Sequence, residues 1–263
     1  MDKTLRTAAT GLTAQQRYVE IISNNIANVN TTAFKKVRPE FQDLLYESLR
    51  PAGANKKMNV EPLNEVQIGS GVELTATSKI FKQGDLQATS NKYDIAINGE
   101  GFFMLRKGDN SIAYTRDGTF HRDKNGQIVN AEGYILEPGL NVPDDAADLQ
   151  ISTNGEVTAI LSDGVTEQTL GQIELARFVN PAGLRSVGEN IYSETPASGK
   201  AVIEQPGMNN TGELKQNQLE VSNVNIVDEM VNMITAQRAY EMNSKSISTA
   251  DNILGTAVNL KRS

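Results

Sequence analysis

Any chemistry in this chain would have to be built from very few groups. His121 is its single histidine, so a Ser-His-Asp triad or a histidine-rich metal site would rest on it alone. It sits between turn sequences, two residues before Asp123, and reads as a surface strand residue. Asp117, Asp123 and Asn125 lie beside glycines. A calcium loop of the EF-hand type needs oxygen ligands at alternating positions, a central glycine and a closing glutamate. Asp123-Lys124-Asn125-Gly126 lacks that spacing, and turn formation accounts for it. Gly69-Ser70-Gly71 and Gly99-Glu100-Gly101 are followed by strand-like residues, not by the third glycine and helix of a dinucleotide loop. The 32 acidic residues could supply a carboxylate pair for glycoside cleavage, yet none stands among aromatics. There is no cysteine, which excludes disulfides and thiolate metal sites. The sequence therefore predicts no catalytic residue, no cofactor and no metal ligand.

Composition points the same way. The chain has 263 residues, of which 38% are hydrophobic and 5% aromatic, with no tryptophan. That apolar supply is thin for one large core and suggests a multi-part molecule, or one completed by partners. The net charge is −7 and the basic residues are scattered, so nucleic acid is not an expected partner. No apolar run approaches the ~18 residues of a membrane span. After Lys3 and Arg6 the polar residues Thr7, Thr10, Thr13, Gln15 and Gln16 interrupt the start, so no cleavable secretory signal is predicted. Export by a route that removes no signal remains compatible with this.

The elements that must position these residues differ between ends and middle. At the front, Leu5, Leu12, Val19 and Ile26 recur at heptad spacing, with Ala8, Ile22 and Val29 between them. This predicts a helix from about Lys3 to Asn28, roughly 39 Å long. At the back, Ile226, Met230, Met233, Tyr240, Ile247, Leu254 and Ala257 form a similar stripe. There Asn225 can cap a helix, and Asp228 and Glu229 suit its first turn. That helix would run to about Leu260, roughly 52 Å, with Gly255 a weak point costing about 1 kcal/mol against alanine. Gln237, Ser244 and Asp251 intrude on the stripe, which weakens a private two-helix coil and suits a crowded interface.

Between the ends the texture is β. Val72 to Thr77 alternates as a half-buried strand does. Tyr93 to Ile97, Gly99 to Leu105 and Gly133 to Leu136 are further strand-like runs, and Asp117-Gly118 and Asn125-Gly126 read as hairpin turns. The predicted fold is α+β: terminal coiled-coil helices as a stem, with an inserted antiparallel β-domain and an extended connecting segment. The divisions fall at 1–30 (first helix), 31–70 (extended connection), 71–195 (β-domain), 196–224 (return) and 225–263 (last helix).

Particular strings then carry a resemblance. Ile22-Ser23-Asn24-Asn25-Ile26-Ala27-Asn28-Val29-Asn30-Thr31-Thr32 and Phe34-Lys35-Lys36 resemble the N-terminal signature of the flagellar rod and hook family. Ser222 to Val231 and Ala236 to Lys245 resemble its C-terminal signature. Asp94 to Ile97, Gly101-Phe102-Phe103 and Tyr114 to Phe120 are similar to its β-domain. The stretch from Tyr46 to Ile68 resembles one that sets distal rod members apart from the hook. Ala33 departs from the family pattern, which commonly has glycine there; it must either bear a left-handed conformation or avoid it.

The resemblance implies a structural, non-enzymatic subunit of the bacterial flagellar basal body. Copies would polymerise helically into a rigid hollow drive shaft that transmits torque and conducts exported subunits. Leu5, Leu12, Val19, Ile22, Ile26, Met230, Met233, Tyr240, Ile247 and Leu254 would line interfaces between copies. Pro51, Lys56, Lys57 and Pro62 mark a segment that would stiffen the tube. The implied partners are other copies, proximal rod proteins, the hook protein or its junction, rod-surrounding ring proteins in Gram-negative bacteria and the flagellar type III export apparatus. The implied place is the periplasm-spanning rod, reached without a cleaved signal and without membrane insertion. Alternatives are a proximal rod or hook subunit, or, in a different class, an envelope hydrolase.

Isolated amphipathic helices are marginal in water, so the sequence predicts terminal helices that order only on assembly. Limited proteolysis of the free subunit should leave a core near residues 70–195; an intact resistant monomer would contradict this.

Overall fold

The computed structural model describes residues 2–50, 66–162 and 166–262. Pro51, Lys56, Lys57 and Pro62 lie outside the described residues. The chain forms two compact units: residues 1–26, 37–78 and 225–263, and residues 27–36 with 79–224.

The first unit holds both helices. Helix α1 spans Asp2–Ala27, and four strands follow: β1 (Val37–Asp43), β2 (Tyr46–Arg50), β3 (Val66–Gly69) and β4 (Val72–Lys79). Strand β1 pairs with β4, and β2 with β3 antiparallel, from Tyr46↔Gly69 to Arg50↔Val66. Among its described residues, the region expected to be merely extended thus supplies three strands of a paired ribbon. It runs back along α1. Lys3 pairs with Glu47, Tyr18 meets Phe41 edge-on at 6.1 Å, and Asn25 bonds Val37. The lengths agree: from Lys3 to Asn25 a helix rises about 33 Å, and from Glu47 back to Val37 a strand spans about 33 Å.

The last helix spans Ile226–Arg262 (labelled α2 here). The Asn225 side-chain oxygen accepts the Val227 N–H at 2.9 Å, as a cap should. Helices α1 and α2 run antiparallel. A methyl group on Gly11 would meet Asn243, and Asn25 bonds Glu229, so equal steps along one helix are matched by equal steps back along the other. The α2 stripe turned towards α1 includes Glu229, Ala236, Asn243 and Ala250, which is small and polar.

The second unit is antiparallel β. Its strands are β5 (Leu86–Ala88), β6 (Ile95–Asn98), β7 (Phe102–Arg106), β8 (Ile112–Thr115), β9 (His121–Arg122), β10 (Ile128–Val129), β11 (Ile135–Leu136), β12 (Ala146–Ile151), β13 (Glu156–Leu161), β14 (Glu167–Gln172), β15 (Leu175–Arg177), β16 (Arg185–Gly188), β17 (Ile191–Ser193), β18 (Val202–Glu204), β19 (Glu213–Gln216) and β20 (Gln218–Glu220). Strand β7 is central, pairing with β8, β11 and β15. Alternation along it sends Phe103 and Leu105 to one face and Phe102 and Met104 to the other. Both faces are covered. Phe103 and Leu105 join Ile95, Ile97, Phe120 and Leu214 in the main core. Phe102 and Met104 join Tyr114, Phe178, Leu184 and Tyr192 in a second, aromatic cluster. Few aromatics suffice because they stack edge to face here, with Phe102 touching Phe81, Phe178 and Tyr192.

Three details differ from the sequence reading. Asn125-Gly126 does turn between β9 and β10, with Gly126 at φ +81°. Asp117-Gly118 does not join paired strands. A methyl group on Gly118 would lie 1.6 Å from the Ile95 carbonyl oxygen, so this glycine serves close backbone approach. The stretch 196–224, read as a return, contributes β18, β19 and β20, which pair with β15, β6 and β5.

Ala33 adopts φ +56° and is 2% exposed. Its N–H donates to the Glu220 carbonyl at 2.7 Å, which holds the left-handed turn in place. That conformation costs an L-residue about 1–2 kcal/mol, while glycine would loosen the unfolded chain by about 0.4–1 kcal/mol. Ala33→Gly is therefore expected to raise stability slightly, by up to about 1 kcal/mol, in thermal or urea unfolding. A clear loss would mean that the alanine methyl group contributes more packing than the turn costs.

Candidate functional site

The least expected feature of the second unit is a fully buried charge cluster. Lys35, Arg116 and Glu220 are 0%, 4% and 1% exposed. The Lys35 ammonium donates to Glu220 Oε1 at 2.6 Å and to the Lys82 carbonyl at 2.9 Å. Arg116 Nε donates to Glu220 Oε2 at 2.9 Å, and its two terminal nitrogens donate to the carbonyls of Gly101 and Gly99. The Gly84 N–H completes the shell of Glu220 Oε1 at 2.8 Å. The carboxylate thus gathers Lys35, Gly84 and Arg116 directly, and through the two cations it reaches the carbonyls of Lys82, Gly99 and Gly101. Burial is tolerated because nearly every donor finds an acceptor.

The cluster holds two cations and one anion, and its titration reflects that excess. Burial, with repulsion from Arg116, pushes Lys35 down from 10.5 to about 8, against the pull of Glu220. Burial also pushes Glu220 up. The opposing charges of Arg116 and Lys35 and the hydrogen bonds from Lys35 and Gly84 outweigh that and hold it below its usual range.

Two asparagines organise the places where the chain passes from one unit to the other. Within the first unit, Asn25 donates to Val37 O at 2.9 Å and to Glu229 Oε2 at 3.1 Å, and accepts the Val37 N–H at 3.0 Å. It thereby ties the end of α1 to the starts of β1 and α2. Within the second unit, Asn223 accepts the Lys36 N–H at 2.8 Å and donates to the carbonyls of Ile80 and Lys82. A single side-chain amide can bridge two backbone segments because it carries both donors and acceptors.

The helices leave much apolar surface open. Ile22 is buried, while Leu5, Leu12, Val19, Ile26, Met233, Ile247 and Leu254 are half-buried. Met230 and Tyr240 are exposed, as are Ile226, Val227, Val231 and Ile234. The heptad stripe of α2 is thus split between the side facing α1 and surface that the described residues leave open.

The residues first considered for chemistry are dispersed. His121 is exposed on β9. Asp117 caps its own turn by accepting from Thr119, and Asp123 accepts from Asn125. Among the described residues no group of three metal-ligating side chains is gathered. The buried cluster was not foreseen. Lys35 and Arg116 stood in the motifs, and Glu220 lies between Leu219 and Val221 as a surface residue of an alternating strand would, so nothing in the sequence brings the three together.

A unit with two long terminal helices and an antiparallel β unit, its buried charges spent on internal bracing, define a subunit built for assembly. Comparison with known proteins narrows this. Residues 5–35 match the family described as flagella basal body rod protein, residues 96–159 the flagellar hook protein FlgE/F/G D1 domain, and residues 215–260 the flagellar basal body rod FlgEFG protein C-terminal family. The flagellar basal-body rod protein FlgG of Borreliella burgdorferi is 46% identical over 265 residues, spanning 100% of both chains. FlgG of Caulobacter vibrioides is 46% identical across 98% of each chain, and that of Bacillus subtilis 38% across 100%. The chain belongs to the flagellar basal-body rod family.

The sign of the pH effect at Lys35 follows from its lowered value. Between about pH 8 and 10.5 the folded chain has released a proton that the unfolded chain still binds, so stability rises with pH in that window. Tyr192, pushed up to about 12 mainly by burial, works the other way from about pH 10, where the unfolded tyrosine begins to lose its proton. In urea unfolding from pH 7 to 10.5, Lys35→Met should flatten this rise relative to the unmodified chain. Equal slopes would mean that Lys35 does not titrate there.

Proposed function

We propose that this chain is a structural subunit of the flagellar distal rod. Copies stack helically into a stiff hollow shaft that transmits torque and conducts exported subunits. The terminal helices line the inner wall and the β unit forms the outer one. The observation that carries this reading is the open apolar face of α2, at Ile226, Val227, Met230, Val231 and Ile234, in a chain similar to FlgG proteins from end to end. Such a face on a structural subunit calls for cover from outside the chain.

The same reading supplies partners and place. Besides other copies, the shaft meets proximal rod proteins, the hook protein or its junction, and ring proteins where an outer membrane is present. The flagellar type III apparatus delivers the chain without a cleaved signal, to a rod that crosses the periplasm. No described helix is long and apolar enough to cross a membrane, which suits a subunit that is threaded through an export channel.

The segment from Pro51 to Pro62 is polar and proline-punctuated, so it cannot form a core of its own. Lying across neighbouring subunits it would resist the sliding that a bendable tube needs. Electron microscopy of purified chain under polymerising conditions tests both ideas. Straight tubes are expected from the full chain, and more curved tubes after deletion of residues 51–62. Absence of tubes would defeat the assembly reading. An equally straight deletion tube would assign stiffness to the helices or the β unit.

A further inference from the structure

The first unit carries two apolar surfaces of matching size. One is the α2 ridge, whose side chains at Ile226, Val227, Met230, Val231 and Ile234 are each 44–67% exposed. They recur at i, i+1, i+4, i+5 and i+8, which is one face of a helix, and that face points away from the stripe turned to α1. The other is a groove of about 480 Å³ between α1 and the ribbon, with Ala9, Thr13 and Ala14 along the helix side and Leu44, Val72 and Leu74 along the strand side. Its helical wall from Ala9 to Arg17 and the ridge from Ile226 to Ile234 both extend about 12 Å.

Their charges are complementary as well. Arg17 lies at one end of the groove, where it also pairs with Glu20. Glu73 lies near the other end, accepting a hydrogen bond from Gln42 and following Val72, whose N–H donates to Thr10. On the ridge, Asp228 flanks the N-terminal end and Arg238 stands one turn beyond Ile234. All four charged side chains reach the surface. Opposite charges meet only if the incoming α2 runs antiparallel to the receiving α1, which is how the chain's own α2 already lies.

We propose that the groove between α1 and the ribbon receives the α2 ridge of a second copy of this chain, with Asp228 of the ridge toward Arg17 and Arg238 toward Glu73. This rests on the reading of the chain as a self-assembling subunit and says which surfaces join. Ridge and groove are different patches, so the contact is heterologous and, where its rotation closes no ring, repeats from copy to copy along an open helical tube. A small-residue groove receiving large apolar side chains also explains why α1 keeps Ala9, Thr13 and Ala14 on that side, where bulkier residues would fill the space.

The absence of cysteine makes the test direct. Full-length chains bearing Thr13→Cys and Val231→Cys are prepared separately, mixed under polymerising conditions and treated with a mild oxidant. The expected product is a disulfide dimer containing one of each, strong in the mixture and weak in either chain alone. Predominant Thr13→Cys or Val231→Cys homodimers, or no cross-link within tubes that do form, would overturn the pairing while leaving assembly intact. Failure of the unmodified chain to associate at all would overturn both. In a second arm, Arg17→Glu and Asp228→Lys should each diminish the mixed dimer, and combining them should restore it. Rescue cannot come from misfolding, and its absence would remove the proposed charge register.

Discussion

One carboxylate, Glu220, sets the constraint on which the second unit depends. Taking it out of water is tolerable only with cations and donors arranged around it, and those come from three separate stretches of chain, at Lys35, Gly84 and Arg116. Ala33 must take a left-handed turn for its N–H to reach the Glu220 carbonyl. Gly84 must lack a side chain, since a methyl group there would lie 2.1 Å from the Val221 carbonyl oxygen. Arg116 must reach past Phe102, with its guanidinium carbon 5.8 Å from the ring centre, to cap the Gly99 and Gly101 carbonyls. A hydrophobic core alone would fix none of these relations so narrowly, because apolar contacts are not directional.

The first unit follows a different economy. The seam between its two helices is small or polar: Gly11 against Asn243, Asn25 against Glu229, and buried Ala236 and Ala250. Such a seam brings two helices together without consuming their large apolar residues. What remains open on α2 is then available to other chains. The two units therefore divide the labour. The β unit closes two apolar clusters around β7 and braces itself through the buried charges, while the helical unit keeps apolar surface open on α2.

The fold class was legible because its signals are periodic. Heptads at both ends predict helices, and the α1 and α2 found end within two residues of the expected C-terminal limits. Alternation from Val72 to Thr77 and the run Phe102 to Leu105 fall on strands β4 and β7. Turn chemistry was only partly legible. Asn125-Gly126 turns as its type demands, but Asp117-Gly118 answers to the tertiary approach of Ile95, which no local rule contains. The strands between 202 and 220 were hidden by prolines, glycines and asparagines that read as loop. The asparagines of the motifs were visible as motifs, yet that Asn25 and Asn223 bridge backbone segments far apart in sequence is a fact of packing. The cluster around Glu220 was hidden for the same reason. A buried lysine looks like any other lysine until its partners, 81 and 185 residues away (116 − 35 and 220 − 35), are brought to it.

The most direct test of this account is amide hydrogen exchange in the native state, comparing the unmodified chain with Glu220→Gln, which keeps the shape and removes the charge. If the carboxylate gathers the chain, protection should fall at the amides of Ala33 and Gly84 and along residues 116–119. The β12–β13–β14 sheet, whose hydrogen bonds do not involve the cluster, should keep its protection. Unchanged exchange at Ala33 and Gly84 would contradict the account and show that the surrounding apolar core, not the charge, holds these segments in place.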